Sequence, residues 1–401
     1  MRSYFEHSRT PSLDELQSND VHEAWQQSCR SGKKCYDLSV SNPTIVDLPS
    51  VYIDINPLQS AISARYQASP QGLSVTREAV SKYYQDENHI YVDPENIQLF
   101  ASTSEAVGAL MKLFCTPGDE VITCIPTYPL LDCLTALECV RLIEVPLQDC
   151  AGEWCIDFWT LENNCTEKTR AIIVVSPNNP TGHCIQKYEL YKLSEFCASR
   201  KIVLIIDEVF AEYRFNNNPE LVSQPVSVQC DQGLAISLSG LSKVCGLPQH
   251  KLGWAVFGGE KSLISEAMAR LQFITDSTLS VSGWVQRMAP DFLLRRHEFT
   301  SPCMDRMRRN LDTLCEISSM PGVRWSVEKP DGGWSACIRL PGCINDESAA
   351  TFLAQNGVRV FPGAFFGYRE NQPTLVVSLL PPENEFREGL MRLSELLNSF
   401  L

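Results

Sequence analysis

The chain is 401 residues long, 44% hydrophobic and 20% charged, with a formal net charge of −14 at neutral pH. It exceeds the length that one hydrophobic core usually fills, so two domains are expected. The negative balance argues against non-specific binding to nucleic acid or to an anionic membrane face, both of which need clustered Lys and Arg, and points to a small-molecule partner.

The opening stretch, MRSYFEHSRTPSLDELQSNDVHEAW, carries polar and charged residues throughout and lacks the apolar core of a secretory signal. No run approaches the roughly 18 apolar residues that would span a bilayer, and the best candidates, such as IVLII at 202–206, are strand-sized. The expected address is the cytoplasm. Seventeen cysteines, with no C-x-x-C pair and most of them inside apolar segments (Cys115, Cys139, Cys197), read as buried reduced thiols. The six histidines lie far apart, so there is no local metal signature and no metal is expected.

From about residue 95 to 260, short apolar runs alternate with segments of helical period: IQLFAS then EAVGALMKLFC, EVITCI, VRLIEV, AIIVVS then YELYKLSEFCASR, IVLIID, LAISLS and LGWAVFG. Runs this short and apolar on consecutive residues predict strands buried on both faces, within an α/β domain whose mixed, mostly parallel sheet is flanked by helices. At 187–201 the spacing predicts a helix, with Leu190, Leu193, Phe196 and Cys197 on one stripe and Lys187, Glu189, Lys192 and Glu195 largely off it. Beyond about 285 the pattern changes to a long charged helix, RRHEFTSPCMDRMRRNLDTLCEI, broken by Pro302, and then to strands punctuated by PDGGW and FPGAFFGY. The expected division is an N-terminal segment (1–45) packing with the small domain, a large domain (46–285) and a smaller α+β domain (286–401).

In open parallel sheets ligands collect beyond the C-terminal strand ends. The residues there are STSE (102–105), PTYP (126–129), PNNPTG (177–182), DE (207–208) and SGLSK (239–243). Lys243 becomes a nucleophile toward carbonyl compounds if its surroundings depress its pKa; otherwise it is a surface charge on a loop. Asp207 ends the most apolar run and serves either as an N-cap or as the partner of a protonated ring nitrogen. The amides of SPNNPTG suit either a plain turn or donation to a phenolic or phosphate oxygen. STSE offers N–H groups and hydroxyls to an anion, or forms a capping box from Ser102 and Glu105. Tyr128 either stacks on an aromatic ligand or is a buried ring with a satisfied hydroxyl.

Taken jointly, PNNPTG, IIDE and SGLSK-x7-KLGW resemble the pyridoxal-phosphate-dependent class I/II aminotransferases of fold type I, over nearly the whole chain and in family order. The resemblance implies that Lys243 forms the Schiff base with the cofactor, that Asp207 pairs with its pyridine nitrogen, that Asn179 reaches its phenolic oxygen and that Tyr128 stacks on its ring. It implies phosphate contacts from Ser102, Thr103, Ser242 and Lys251, and from Tyr66 of RYQASPQG across to the neighbouring subunit, hence a homodimer with shared active sites. The substrate contacts it implies are Ser41, Asn179 and Arg369.

Three places depart from the family pattern. The usual D-E-x-Y reads DEVF, so Phe210 lacks the tyrosine hydroxyl, for which Tyr213 is the nearest replacement. At the phosphate, Ser102 stands where glycine is common, Gly240 where serine is common, and Lys251 where arginine is common, which keeps the charge and loses the bidentate fork. Near the C-terminus, TLVVSLL places Val376 where an arginine usually grips the substrate's α-carboxylate. The expected activity is amino-group transfer between an amino acid or amine and a keto acid or aldehyde, on an atypical substrate. The alternatives are a lyase, decarboxylase or cyclising enzyme of a specialised biosynthetic pathway, or a binding module without activity.

Overall fold

The structure, a computed structural model, describes residues 9–10, 19–51, 68–150, 153–216, 218–279, 281–342 and 344–400. A short strand β1 (Tyr36–Asp37) precedes the strands of the large sheet: β2 (Ile97–Phe100), β3 (Glu120–Ile125), β4 (Arg141–Cys150), β5 (Glu153–Ile156), β6 (Thr169–Val175), β7 (Val203–Asp207), β8 (Leu234–Gly240) and β9 (Gly253–Gly259). They pair in the order β2-β9-β8-β7-β6-β3-β4-β5. The central strands β8, β7, β6, β3 and β4 run parallel, while β9 is antiparallel to both β8 and β2. The reason lies in the connections: the parallel strands β6 and β7 are joined through a crossover helix (Lys187–Arg200), whereas SGLSKVCGLPQHKL carries a one-turn helix, Leu241–Val244, and sends the chain back beside β8. The sheet is mixed and mostly parallel, as expected from the sequence.

A second sheet is formed by β10 (Ser326–Glu328), β11 (Ser335–Arg339), β13 (Phe361–Pro362) and β14 (Thr374–Ser378), in the order β10-β11-β14-β13 and antiparallel throughout. Between them, β12 (Val358–Arg359) pairs in parallel with β1, Tyr36 opposite Val358 and Asp37 opposite Arg359, which ties the N-terminal segment to the C-terminal part of the chain.

Four expectations need correction. The helix His297–Ser318 runs on through Pro302, which sits in its second turn, where the missing N–H deprives only the Glu298 carbonyl. Glu189, placed off the apolar stripe by its spacing, is fully buried: it accepts from the backbone N–H groups of Ile156 (2.9 Å) and Gln186 (3.0 Å) and pairs with His183 Nε2 at 3.1 Å. The cysteines are not uniformly buried, since Cys29 and Cys133 are exposed. Nor are they all reduced, because Cys155 is disulfide-bonded.

The segment PDGGW docks onto the loops that follow β6 and β7. Gly332 N donates to Gly182 O at 3.1 Å and Gly333 N to Tyr213 O at 2.8 Å. A Cβ on Gly332 would lie 2.4 Å from Tyr213 O and 3.0 Å from Pro177 Cγ, so only glycine allows this approach. Gly332→Ala is expected to lower unfolding stability by about 1–3 kcal/mol, read as an earlier urea midpoint; an unchanged midpoint would show that the loop yields without cost.

Candidate active site

Asp207 and Lys243 follow adjacent parallel strands. Asp207 closes β7 opposite Leu238 of β8, and Lys243 lies in the single helical turn after β8. The Asp207 carboxylate accepts from Val209 N at 3.1 Å as the chain turns; no helix starts there, so it closes an Asx turn rather than capping a helix. Burial drives its pKa up to about 6, against the opposing pull of the Val209 N–H and of Lys243. Burial likewise lowers Lys243 to about 8, opposed by the charge of Asp207 and by Cys303, whose own thiol burial holds at about 12. Two groups that water would keep charged are thus each pushed toward neutrality and toward one another.

The N-terminus of the helix Thr103–Phe114 faces the same strand ends. Ser102 caps it, accepting from Glu105 N at 3.1 Å, while Glu105 Oε2 accepts from Ala101 N at 2.5 Å rather than from Ser102 N, so only the first half of the capping box read in STSE is present. The Ser102 hydroxyl proton and the first N–H groups remain available to an anion. A Cβ on Gly253 would sit 3.1 Å from Thr103 N, and one on Gly240 would sit 2.9 Å from Leu252 O. These two glycines let β9 pack closely against the SGLSK turn and the helix N-terminus. Beside it, Ser239 Oγ is buried and has no hydrogen-bond partner among the described residues. Ser242 is half-buried, and Lys251 is exposed in a left-handed conformation (φ 53°).

In SPNNPTG the two asparagines divide the work. Asn178 is structural, donating to Pro126 O (3.1 Å) and accepting from Thr181 N and Oγ1 at 3.1 and 2.8 Å. Asn179 is half-buried, and its amide makes no hydrogen bond among the described residues. Tyr128 is 41% exposed, and its hydroxyl pKa is raised by burial and by the negative charge of Asp207, so ring and carboxylate share one space. Ser41 and Lys243 line a common cleft of about 540 Å³ with Asn42, Pro43, Thr44, Pro248 and Gln249. Tyr66 lies outside the described residues.

Two readings, of Arg369 and Tyr213, change in detail. Arg369 is exposed at the rim of a separate hollow of about 60 Å³ beside Ile125, Pro126 and Gly367, away from the Lys243 cleft. Tyr213 is not a substitute for the missing hydroxyl at Phe210, because its own hydroxyl donates to the backbone carbonyl of Lys243 at 2.6 Å. Val376 is buried in a cross-strand row with Cys337 of β11 and Phe361 of β13, and Cys337 Sγ contacts Pro180 O at 3.4 Å. That face therefore looks onto the PNNPTG loop without a cation at Val376; Arg339, two residues along from Cys337, is engaged by Glu328. Sequence reasoning missed Trp334, which packs on Phe210 (5.5 Å between centroids) and lies under Lys243 Nζ (4.5 Å to the centroid). Its only signal was an aromatic residue directly after the double glycine of PDGGW.

The family described as aminotransferase class I and II matches residues 33–392. The chain belongs to that family. The enzyme is 26% identical over 381 residues to the glutamate-pyruvate aminotransferase of Escherichia coli K12, covering 92% of each chain. It is 26% identical over 358 residues to the arginine–pyruvate transaminase of Pseudomonas aeruginosa, covering 87% of this chain and 86% of that one. Among solved structures, alanine aminotransferase from Pyrococcus furiosus superposes with a TM-score of 0.83 at 21% identity over 98% of this chain and 99% of that one. A single mutant of Thermus thermophilus aspartate aminotransferase gives 0.81 at 21% identity over 99% and 100%. The protein is a pyridoxal-phosphate-dependent aminotransferase with the fold type I architecture. Its own residues suit that cofactor: a helix N-terminus at Thr103 for the phosphate, the unpartnered buried hydroxyl of Ser239 beside it, and a desolvated carboxylate interacting with a desolvated lysine.

The charge burial has a pH signature in the cofactor-free chain. Because Asp207 is raised from 3.8 to about 6, the folded state binds more protons than the unfolded one between those values, and stability falls as pH rises through that window. Lys243, lowered from 10.5 to about 8, has the opposite effect, and stability rises with pH between about 8 and 10.5. At pH 7, Asp207→Asn is expected to stabilise the cofactor-free protein by about 1–2 kcal/mol and to flatten its pH dependence between 4 and 6. Thermal unfolding across pH checks this, and a destabilised variant would mean that the carboxylate is not held at a desolvation cost.

Proposed function

We propose that the enzyme moves an amino group between an amine or amino acid and a keto acid or aldehyde, with a substrate that is not held by a strand-borne arginine. The observation that carries this reading is Val376, buried in an apolar row facing the PNNPTG loop where a carboxylate-gripping cation would stand. The named activities of the relatives, glutamate-pyruvate and arginine–pyruvate transamination, favour transamination over elimination, decarboxylation or ring closure.

In this reading bound pyridoxal phosphate supplies the sink for the electron pair released when the substrate's Cα–H bond breaks. Asp207 keeps a proton on the ring nitrogen, Asn179 donates to the phenolic oxygen, and Tyr128 covers the ring. Ser102, Thr103 and Ser242 hold the phosphate with hydroxyl and backbone donors, and Lys251 supplies a point charge. Lys243 Nζ would bond the cofactor at rest and, once displaced, would accept the Cα proton and return it; its lowered pKa leaves a useful fraction neutral near pH 7–8. The active form is proposed to be a homodimer, with Tyr66 reaching the neighbour's phosphate, in keeping with a family in which dimers are typical.

The holoenzyme is expected to carry a Schiff-base absorbance that Lys243→Ala removes, and a panel of amino acids and simple amines is expected to convert it to the pyridoxamine form. Release of ammonia or carbon dioxide without that conversion would overturn transamination. Val376→Arg is expected to raise kcat/KM for common α-amino acids by about tenfold or more, since a charge-assisted hydrogen bond contributes about 1.5–3 kcal/mol and the pair would be bidentate. A folded variant with unchanged kcat/KM would show that the missing arginine does not set the substrate range.

A further inference from the structure

Lys243 is half-buried at the edge of its cleft, with its side chain against aromatic rings. Its Nζ lies 4.5 Å from the centroid of the Trp334 ring and 5.5 Å from that of Phe210. Trp334 is fixed in turn by edge contacts with Phe210 (5.5 Å), Tyr213 (5.2 Å) and Phe299 (6.4 Å), and its carbonyl accepts from Leu379 N at 2.8 Å. The Lys243 backbone is held by the Tyr213 hydroxyl. The titratable groups that interact with the amine are Asp207 from the end of β7 and Cys303 from the helix His297–Ser318, the second a neutral thiol. Asp207 is therefore the one charge among them at neutral pH. Away from the cleft the ammonium rests on the negative faces of two aromatic rings, of which an indole is the strongest partner.

We propose that Trp334 and Phe210 form a seat for the Lys243 ammonium, occupied whenever the lysine is released from the cofactor, and that Trp334 above all fixes where the amine waits and how firmly it keeps its proton. Both are positioning residues acting through Lys243. The inference rests on Lys243 being the cofactor lysine. When the substrate's Cα–H bond breaks, the proton would form a new N–H bond with the neutral Nζ, and a bound cofactor would take up the electron pair left behind, so no external oxidant or reductant enters. The charged amine formed in that step is the species the two rings stabilise. Phe210 gains a role that a tyrosine tied by its hydroxyl to the cofactor would fill less well, because its ring is free to pack edge-on against Trp334 and beneath Nζ.

The test is the pH dependence of reductive methylation of Lys243 with formaldehyde and a borane, followed by peptide mass spectrometry, in the pyridoxamine-phosphate-loaded full-length enzyme. Only the neutral amine reacts, so the midpoint reports the protonation equilibrium. Trp334→Leu is expected to lower that midpoint by about one unit, tenfold in the equilibrium, whereas Trp334→Phe, which keeps an aromatic face, lowers it by about half as much or less. Phe210→Leu shifts it in the same direction by a smaller amount, and serves with Trp334→Phe if Trp334→Leu does not fold. A midpoint unchanged in the folded variants, or raised because water enters, overturns the seat. Protection of Lys243 in the pyridoxal-loaded form separates the two claims. If Lys243 methylates equally in both loaded forms, the cofactor-lysine reading fails, and the midpoint comparison still decides whether the rings hold the ammonium.

Discussion

The withdrawal of two opposite charges from water at the ends of neighbouring parallel strands governs this site. Asp207 and Lys243 each meet a desolvation cost that exceeds what their mutual attraction returns, so the carboxylate rises to about 6 and the amine falls to about 8. A fold tolerates such a cost where function requires it. The parallel strands β7 and β8 are buried, so the groups at their carboxyl ends inherit a low dielectric without further construction. A cationic ring nitrogen placed against Asp207 would relieve the cost, which suits the pair to receive that kind of group.

Around the pair, the chain brings together parts distant in sequence by close backbone approach. Gly240 and Gly253 let the helix N-terminus at Thr103 meet the SGLSK turn, and Gly332 lets PDGGW lie on the loops after β6 and β7. The N-terminal segment, anchored by β1 on β12, carries Ser41 to the same cleft. Two positions that depart from the family pattern pack among apolar groups: Phe210 joins an aromatic cluster with Trp334, and Val376 joins a row with Cys337 and Phe361.

Much of this was legible in the sequence, for a physical reason. Strands buried on both faces must be apolar on consecutive residues, and the turn residues that end them mark where ligands collect, so the positions of Asp207, Asn179, Ser102 and Lys243 could be read directly. What could not be read depended on partners far along the chain. Glu189 sits at a surface-like position of its helix period, yet it is buried because His183 and two backbone N–H groups satisfy it. Pro302 is a helix breaker by type, but in the second turn it removes a single bond. Neither the direction of Tyr213 toward the Lys243 carbonyl nor the arrival of Trp334 under Nζ leaves a periodic trace, because each is set by how PDGGW docks.

The central claim is that Lys243, desolvated between Asp207 and an aromatic floor, is the residue that bonds the cofactor. Borohydride reduction of the coloured holoenzyme, followed by proteolysis and mass spectrometry, tests it most directly. The account predicts a pyridoxyl group fixed on Lys243; its recovery on Lys251 or any other lysine, or on none, would contradict it.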